Sequence, residues 1–161
     1  MNIWHIDTQS IQNSLYMIEK NMACIPLGTL EIYNYYSNKK DSEIHRLIKY
    51  KQSIKKGDVL LLYHKNIGYI AYGRYNDKIY ESKNIISDKL PDINSEIIYF
   101  GLGVNDWHLI KIPINIEDTT VDTTVDTTVD TTVDTTVDTT LIFELSLEQK
   151  KGILQAIRNN K

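Results

Sequence analysis

Apolar residues in this chain fall in short runs broken by polar turns, and in three stretches they recur at helical spacing instead. Ile3, Trp4, His5 and Ile6 predict an opening strand. Leu15, Ile18 and Met22 predict a helix over Ser14 to Asn21 with Ser14 as its cap. Ala23 to Leu27 predicts a short buried strand ended by Gly28, and Ile44, Leu47, Ile48 and Lys51 a second helix capped by Asp41 or Ser42. Lys55-Lys56-Gly57-Asp58 predicts a turn. Val59 to Tyr63 and Tyr69 to Arg74, separated by a turn that Asn66 and Gly68 flank, then form a hairpin over 58–75. Ile97 to Phe100 predicts a further strand, Gly101-Leu102-Gly103 a flexible connection, and Trp107 to Ile116 another strand, with Leu141 to Leu145 returning beside it. Ser146 and Gln149 form a capping box for a last helix that places Leu147, Ile153, Leu154 and Ile157 on one face. Five or six short strands with helices early and at the end give an α+β class, a mixed sheet or small barrel, in one domain spanning 1–161.

A tandem Asp-Thr-Thr-Val repeat runs from Asp118 to Val137 and trails off at Thr140. It has no large apolar residue to anchor it, so a disordered acidic loop over 117–140, inserted between two ordered elements, is the expectation. The loop also hides the charge of the rest. The whole chain carries a net −3, but without the seven acids of 117–140 the remainder holds 18 basic and 14 acidic residues, a net of +4. A mildly basic body permits a polyanionic partner through phosphate contacts.

Several chemistries find no support. Cys24 is the only cysteine and sits in the apolar run Met22-Ala23-Cys24-Ile25, which gives neither a disulfide nor a cysteine zinc site. His5, His45, His64 and His108 form no His-x-x-x-His pair, so no metal is expected. Gly101 and Gly103 are followed by Asp106 where a dinucleotide fingerprint needs glycine. A nucleophile elbow and a phosphate-binding loop are both missing, so the expectation is no catalytic residue and no cofactor. No apolar run is long enough to cross a membrane and the start lacks a secretion signal, which makes an intracellular protein, cytoplasmic or nuclear, the expectation.

The aromatic content points elsewhere. Eleven Tyr and two Trp stand against two Phe, so most rings carry a polar handle suited to a pocket rim. Stacking a base on such a ring contributes about 1–3 kcal/mol.

Three stretches resemble the EVE domain, a member of the PUA-like group that includes the YTH readers. They are Met1-Asn2-Ile3-Trp4; Ile54 to Asn66 with Gly68 to Gly73, which carries Lys-x-Gly-Asp, an apolar strand and Tyr-His-x-Asn; and Trp107 to Ile112, followed later by Leu145-Ser146-Leu147. After Gly28 the family's Gly-x-Arg-Asn segment is replaced by Thr29, Leu30, Glu31, Ile32, Tyr33 and Asn34. The resemblance implies a small PUA-like β-barrel with flanking helices and an aromatic pocket for a base of DNA or RNA, modified or not, or for a nucleotide. It makes Trp107, Trp4, Tyr63 and Tyr72 stacking candidates. His64 and Asn66 would read the base edge, Gly28 and Thr29 give backbone contacts, and Arg74 or Lys65 meet the phosphate. Any effector would be a separate protein. Gly28-Thr29-Leu30-Glu31 also resembles the ASCH branch without its Lys and Arg, which leaves a small amidohydrolase as the rival expectation; a protein-interaction scaffold is another.

Overall fold

The computed structural model describes residues 1–29, 34–35, 39, 43–81, 97–115 and 141–160, and within these it is α+β. The Asp-Thr-Thr-Val repeat, the expected caps Asp41 and Ser42, and Glu31 lie outside the described residues. The strands are β1 (Ile3–Asp7), β2 (Met22–Thr29), β3 (Val59–His64), β4 (Gly68–Glu81), β5 (Ile97–Val104), β6 (His108–Ile114) and β7 (Ile142–Glu144). The helices are α1 (Ile11–Lys20), α2 (Glu43–Ser53) and α3 (Leu147–Asn159).

The strands pair in the order β2-β5-β4-β3-β1-β7, and β6 joins β4. Among the described residues β2 and β7 do not pair, so the path stays open where the sequence led us to expect a closed barrel. β1 runs parallel to β3, with Ile3 opposite Val59 and Ile6 opposite Leu62. Both faces of this pair are covered, which is why β1 and β3 read as continuous apolar runs rather than an alternation. Ile3, Val59, Leu61 and Tyr69 belong to one core with Ile153 of α3. Trp4, Ile6, Leu60 and Leu62 belong to the other, with Met17 of α1 and Leu47 of α2.

Several expected boundaries shift. Ser10, not Ser14, caps α1 by accepting the Asn13 N–H; Ser14 lies inside the helix, where its hydroxyl donates to Thr8 Oγ1 at 2.7 Å. β4 continues past Arg74 to Glu81, because the polar stretch Asn76-Asp77-Lys78 is a bulge and not an end. The register against β5 shifts between Tyr75 and Ile79, and Asp77 has φ 74°. That bulge lies where β4 exchanges β3 and β6 for β5 as partners. Gly101-Leu102-Gly103 is strand, paired on one side with β2 and on the other with β4. A Cβ on Gly103 would lie 2.5 Å from Asn76 Oδ1, so the glycine lets the bulge pack against β5. β7 pairs with β1 rather than with β6. The capping box at Ser146 and Gln149 is present, and Ile153, Leu154 and Ile157 face inward while Leu147 is exposed.

Candidate functional site

The connection from β5 to β6, Asn105-Asp106-Trp107, lies flat against β4 because position 73 is glycine. A Cβ there would collide with Val104 and come within 2.9 Å of the Asp106 carbonyl oxygen and 3.1 Å of the Trp107 ring. Two hydrogen bonds fix the connection in place. Asn105 N–H donates to the Arg74 carbonyl at 3.3 Å, and the Trp107 indole N–H donates to the Met17 carbonyl at 3.0 Å. Asn105 and Asp106 are thereby held, exposed, over the middle of β4.

Beside them opens a cavity of about 350 Å³. Ile3, Val59 and Leu61 line it from β1 and β3, and Ile153, Leu154 and Ile157 from α3. Its polar lining comes from Tyr72, Arg74, Asn105, Asp106 and His108. Tyr72 and His108 are direct partners across β4 and β6, and their rings stack at 5.1 Å and 27°. His108 is exposed and Tyr72 half-buried. Arg74 is held by donating to the Gly57 carbonyl at 2.9 Å, which places its charge beside the turn carrying exposed Lys55 and Lys56. Among the described residues no carboxylate pairs with Arg74.

Of the residues singled out in the sequence, Tyr72 and Arg74 line this cavity. Trp107 stands behind its wall, against Gly73, and supports the connection. Trp4 is 2% exposed and donates its indole N–H to Asp58 Oδ2 at 3.1 Å, so its ring has no open face. Tyr63 packs against His5 and Tyr69 in a separate aromatic group. His64, Lys65 and Asn66 sit at the β3–β4 turn, where His64 Nδ1 lies 2.9 Å from the Lys65 carbonyl and Asn66 takes φ 70°. Gly28 and Thr29 end β2 opposite Ile98 and Ile97, away from these groups in sequence order and in pairing. Asn105 and Asp106 were not anticipated as site residues, His108 was weighed as a metal ligand, and the apolar face of α3 was read only as core. Asp106 attracted notice only as a missing glycine, and nothing local says that it abuts residue 73.

The buried titratable groups are structural. His5 is stacked on Phe143 at 4.3 Å with Nδ1 3.0 Å from the Tyr69 hydroxyl; burial pushes its pKa down to about 3 and that of Tyr69 up. Burial would raise the Asp58 pKa, but hydrogen bonds from the Lys55 and Asn2 backbone and from Trp4, with the amino-terminal charge, outweigh it and hold the carboxyl below its usual value. The Cys24 thiol is pushed up to about 12 by burial, which leaves it unreactive. Among the described residues no group of three or more His, Cys, Asp or Glu is placed to hold a metal, and no helix is long and apolar enough to cross a membrane.

No protein-family model and no curated protein matches the chain. Solved structures do. A Pseudomonas syringae protein is 12% identical with a TM-score of 0.51, over 96% of this chain and 99% of that one. A Rhodopseudomonas palustris protein solved by NMR is 10% identical with a TM-score of 0.49, over 100% and 96%. The YTH domain of a Zygosaccharomyces rouxii protein, solved in complex with N6-methyladenosine RNA, is 14% identical with a TM-score of 0.46, over 99% and 88%. The Pseudomonas syringae match shows a shared fold and nothing about a ligand.

Proposed function

We propose that this chain is a non-enzymatic reader of nucleic acid, on a PUA-like scaffold of EVE type, that seats one unpaired or flipped-out base, modified or not, in the cavity between β3, β4, β6 and α3. The observation that carries this reading is the combination at one mouth of an apolar floor, the Tyr72–His108 stack and the cation of Arg74. A volume of about 350 Å³ falls at the lower end of the range for small-ligand sites, roughly 300–1,000 Å³, and suits one base. The exposed imidazole of His108 continues the stack onto the base, and apolar side chains below take its inner edge. Arg74, with Lys55 and Lys56 on the turn it bonds, meets the phosphates outside.

Tryptophan fluorescence, titrated with short single- and double-stranded DNA and RNA at two salt concentrations, tests this, since Trp107 touches the wall of the site. Oligonucleotides with methylated or hydroxymethylated bases enter as further arms. Saturable quenching is expected, weakened about tenfold by His108→Ala through lost stacking. Arg74→Ala should reduce the salt slope by about one phosphate contact. A flat response to every oligonucleotide would reject the reading.

A further inference from the structure

Resting on the reader assignment, we infer that the base this site selects is guanine, held by Asp106 and Asn105. The two residues are neighbours in the β5–β6 connection and both line the cavity, whose aliphatic lining includes Ile153, Leu154 and Ile157 of α3. Their backbone is fixed in place, since Gly73 admits the connection against β4 and the bonds of Asn105 N–H to the Arg74 carbonyl and of Trp107 to the Met17 carbonyl tie it on either side. Side chains on a fixed connection can discriminate, because a wrong partner cannot be met by moving the loop.

The chemistry then decides among the bases. A carboxylate offers only acceptors, two oxygens side by side, and the neighbouring amide of Asn105 offers donors. Guanine alone presents two adjacent N–H donors, at N1 and N2, followed by an acceptor at O6. The first two match the Asp106 carboxylate and the third the Asn105 amide. Adenine and cytosine place one donor beside a ring-nitrogen acceptor, so one carboxylate oxygen would face a lone pair. Uracil and thymine place their single N–H between two carbonyls, which sets an acceptor against the carboxylate. Both side chains are exposed, so water satisfies a group that the base leaves unpaired, and the discrimination comes from the lost bonds and the facing lone pairs rather than from a burial penalty.

Titrating the full-length protein with the 5′-monophosphates of guanosine, inosine, adenosine, cytidine and uridine separates the possibilities. Guanosine monophosphate should bind tightest and inosine monophosphate, which lacks only the N2 amino group, about tenfold weaker. Asp106→Asn, which preserves shape on an exposed residue, should erase that difference and strengthen adenosine monophosphate binding, since the amide offers adenine N1 the donor that the carboxylate lacks. A circular-dichroism melt on the same sample verifies that the variant is folded. Equal affinity for all five nucleotides, or a guanine preference that survives in Asp106→Asn, would overturn the inference and leave the reader assignment standing. Absence of binding by every nucleotide and every oligonucleotide would overturn both.

Discussion

The indole N–H of Trp107 donates to the carbonyl of Met17, 3.0 Å away and 90 residues earlier, and so fastens the β5–β6 connection to the end of α1. The bond makes Trp107 a strut of the site, and the half-buried ring also packs against the larger core. Trp107→Phe keeps most of the ring contact and loses the bond, so a loss of about 1 kcal/mol in urea denaturation is expected. Trp107→Ala should cost about 2–4 kcal/mol and weaken nucleotide binding as well, through a loosened Asp106. Unchanged stability of both variants would contradict the strut.

Gly73→Ala places a methyl group against the Asp106 carbonyl and the Trp107 ring. The strand would survive, since overpacking of this kind costs about 1–3 kcal/mol. Binding should suffer more than stability, because displacement of the connection moves Asn105 and Asp106 together. Comparing dissociation constants with melting temperatures for the same sample measures the split.

Asp58 is the acceptor for three donors, the Asn2 and Lys55 N–H groups and the Trp4 indole, at 3.0–3.1 Å. Asp58→Asn turns one acceptor oxygen into a donor facing those N–H groups and should destabilise by about 2–4 kcal/mol at neutral pH. The folded pKa of Asp58 is lowered, so its contribution is complete above the ordinary value of 3.8 and lost as pH falls through the lowered folded value. The gap between wild type and variant should therefore narrow only in strong acid, which denaturation at pH 7 and pH 3 would reveal.

His5 acts over a different window. Its folded pKa is about 3 against an ordinary 6.5, so between these values the unfolded chain binds a proton that the folded one refuses. Stability attributable to His5 accordingly declines as pH falls below 6.5, by about 1.4 kcal/mol per pH unit. The double variant His5→Phe with Tyr69→Phe removes the group without orphaning the Tyr69 hydroxyl. Its stability should be less pH-dependent than wild type between pH 6 and pH 4; parallel curves would show that His5 is not what titrates.

Asn160, just beyond α3, accepts the Ile112 N–H at 3.1 Å and donates to the Ile112 carbonyl at 2.8 Å. The amide substitutes for a strand partner where β6 bulges away from β4 between Leu109 and Ile114. Asn160→Ala should cost about 1 kcal/mol and accelerate hydrogen exchange at Ile112, with little change at Leu109.

What the sequence by itself determined is local. The runs at Ile3 to Ile6 and Val59 to Tyr63, the turn glycines at 57 and 68, and the Ser146–Gln149 box each depend on neighbours within a few residues, and each formed near its expected place. Arg74 and Tyr72, singled out through the family resemblance, line the cavity because they sit on the hairpin that those local signals define. The tertiary structure decided the rest. β4 extends through a polar bulge only because Gly103 leaves room for Asn76, and β7 chooses β1 over β6 through pairing across most of the chain. Trp4 and Trp107 have the same residue type and the same polar handle, yet one N–H is spent on a buried carboxylate and the other on a helix carbonyl. Asp106 joins the cavity only through contact with a strand more than thirty residues earlier in sequence. Such contacts are set by which surfaces the whole fold brings together, a sum over long-range packing that no short window of sequence contains.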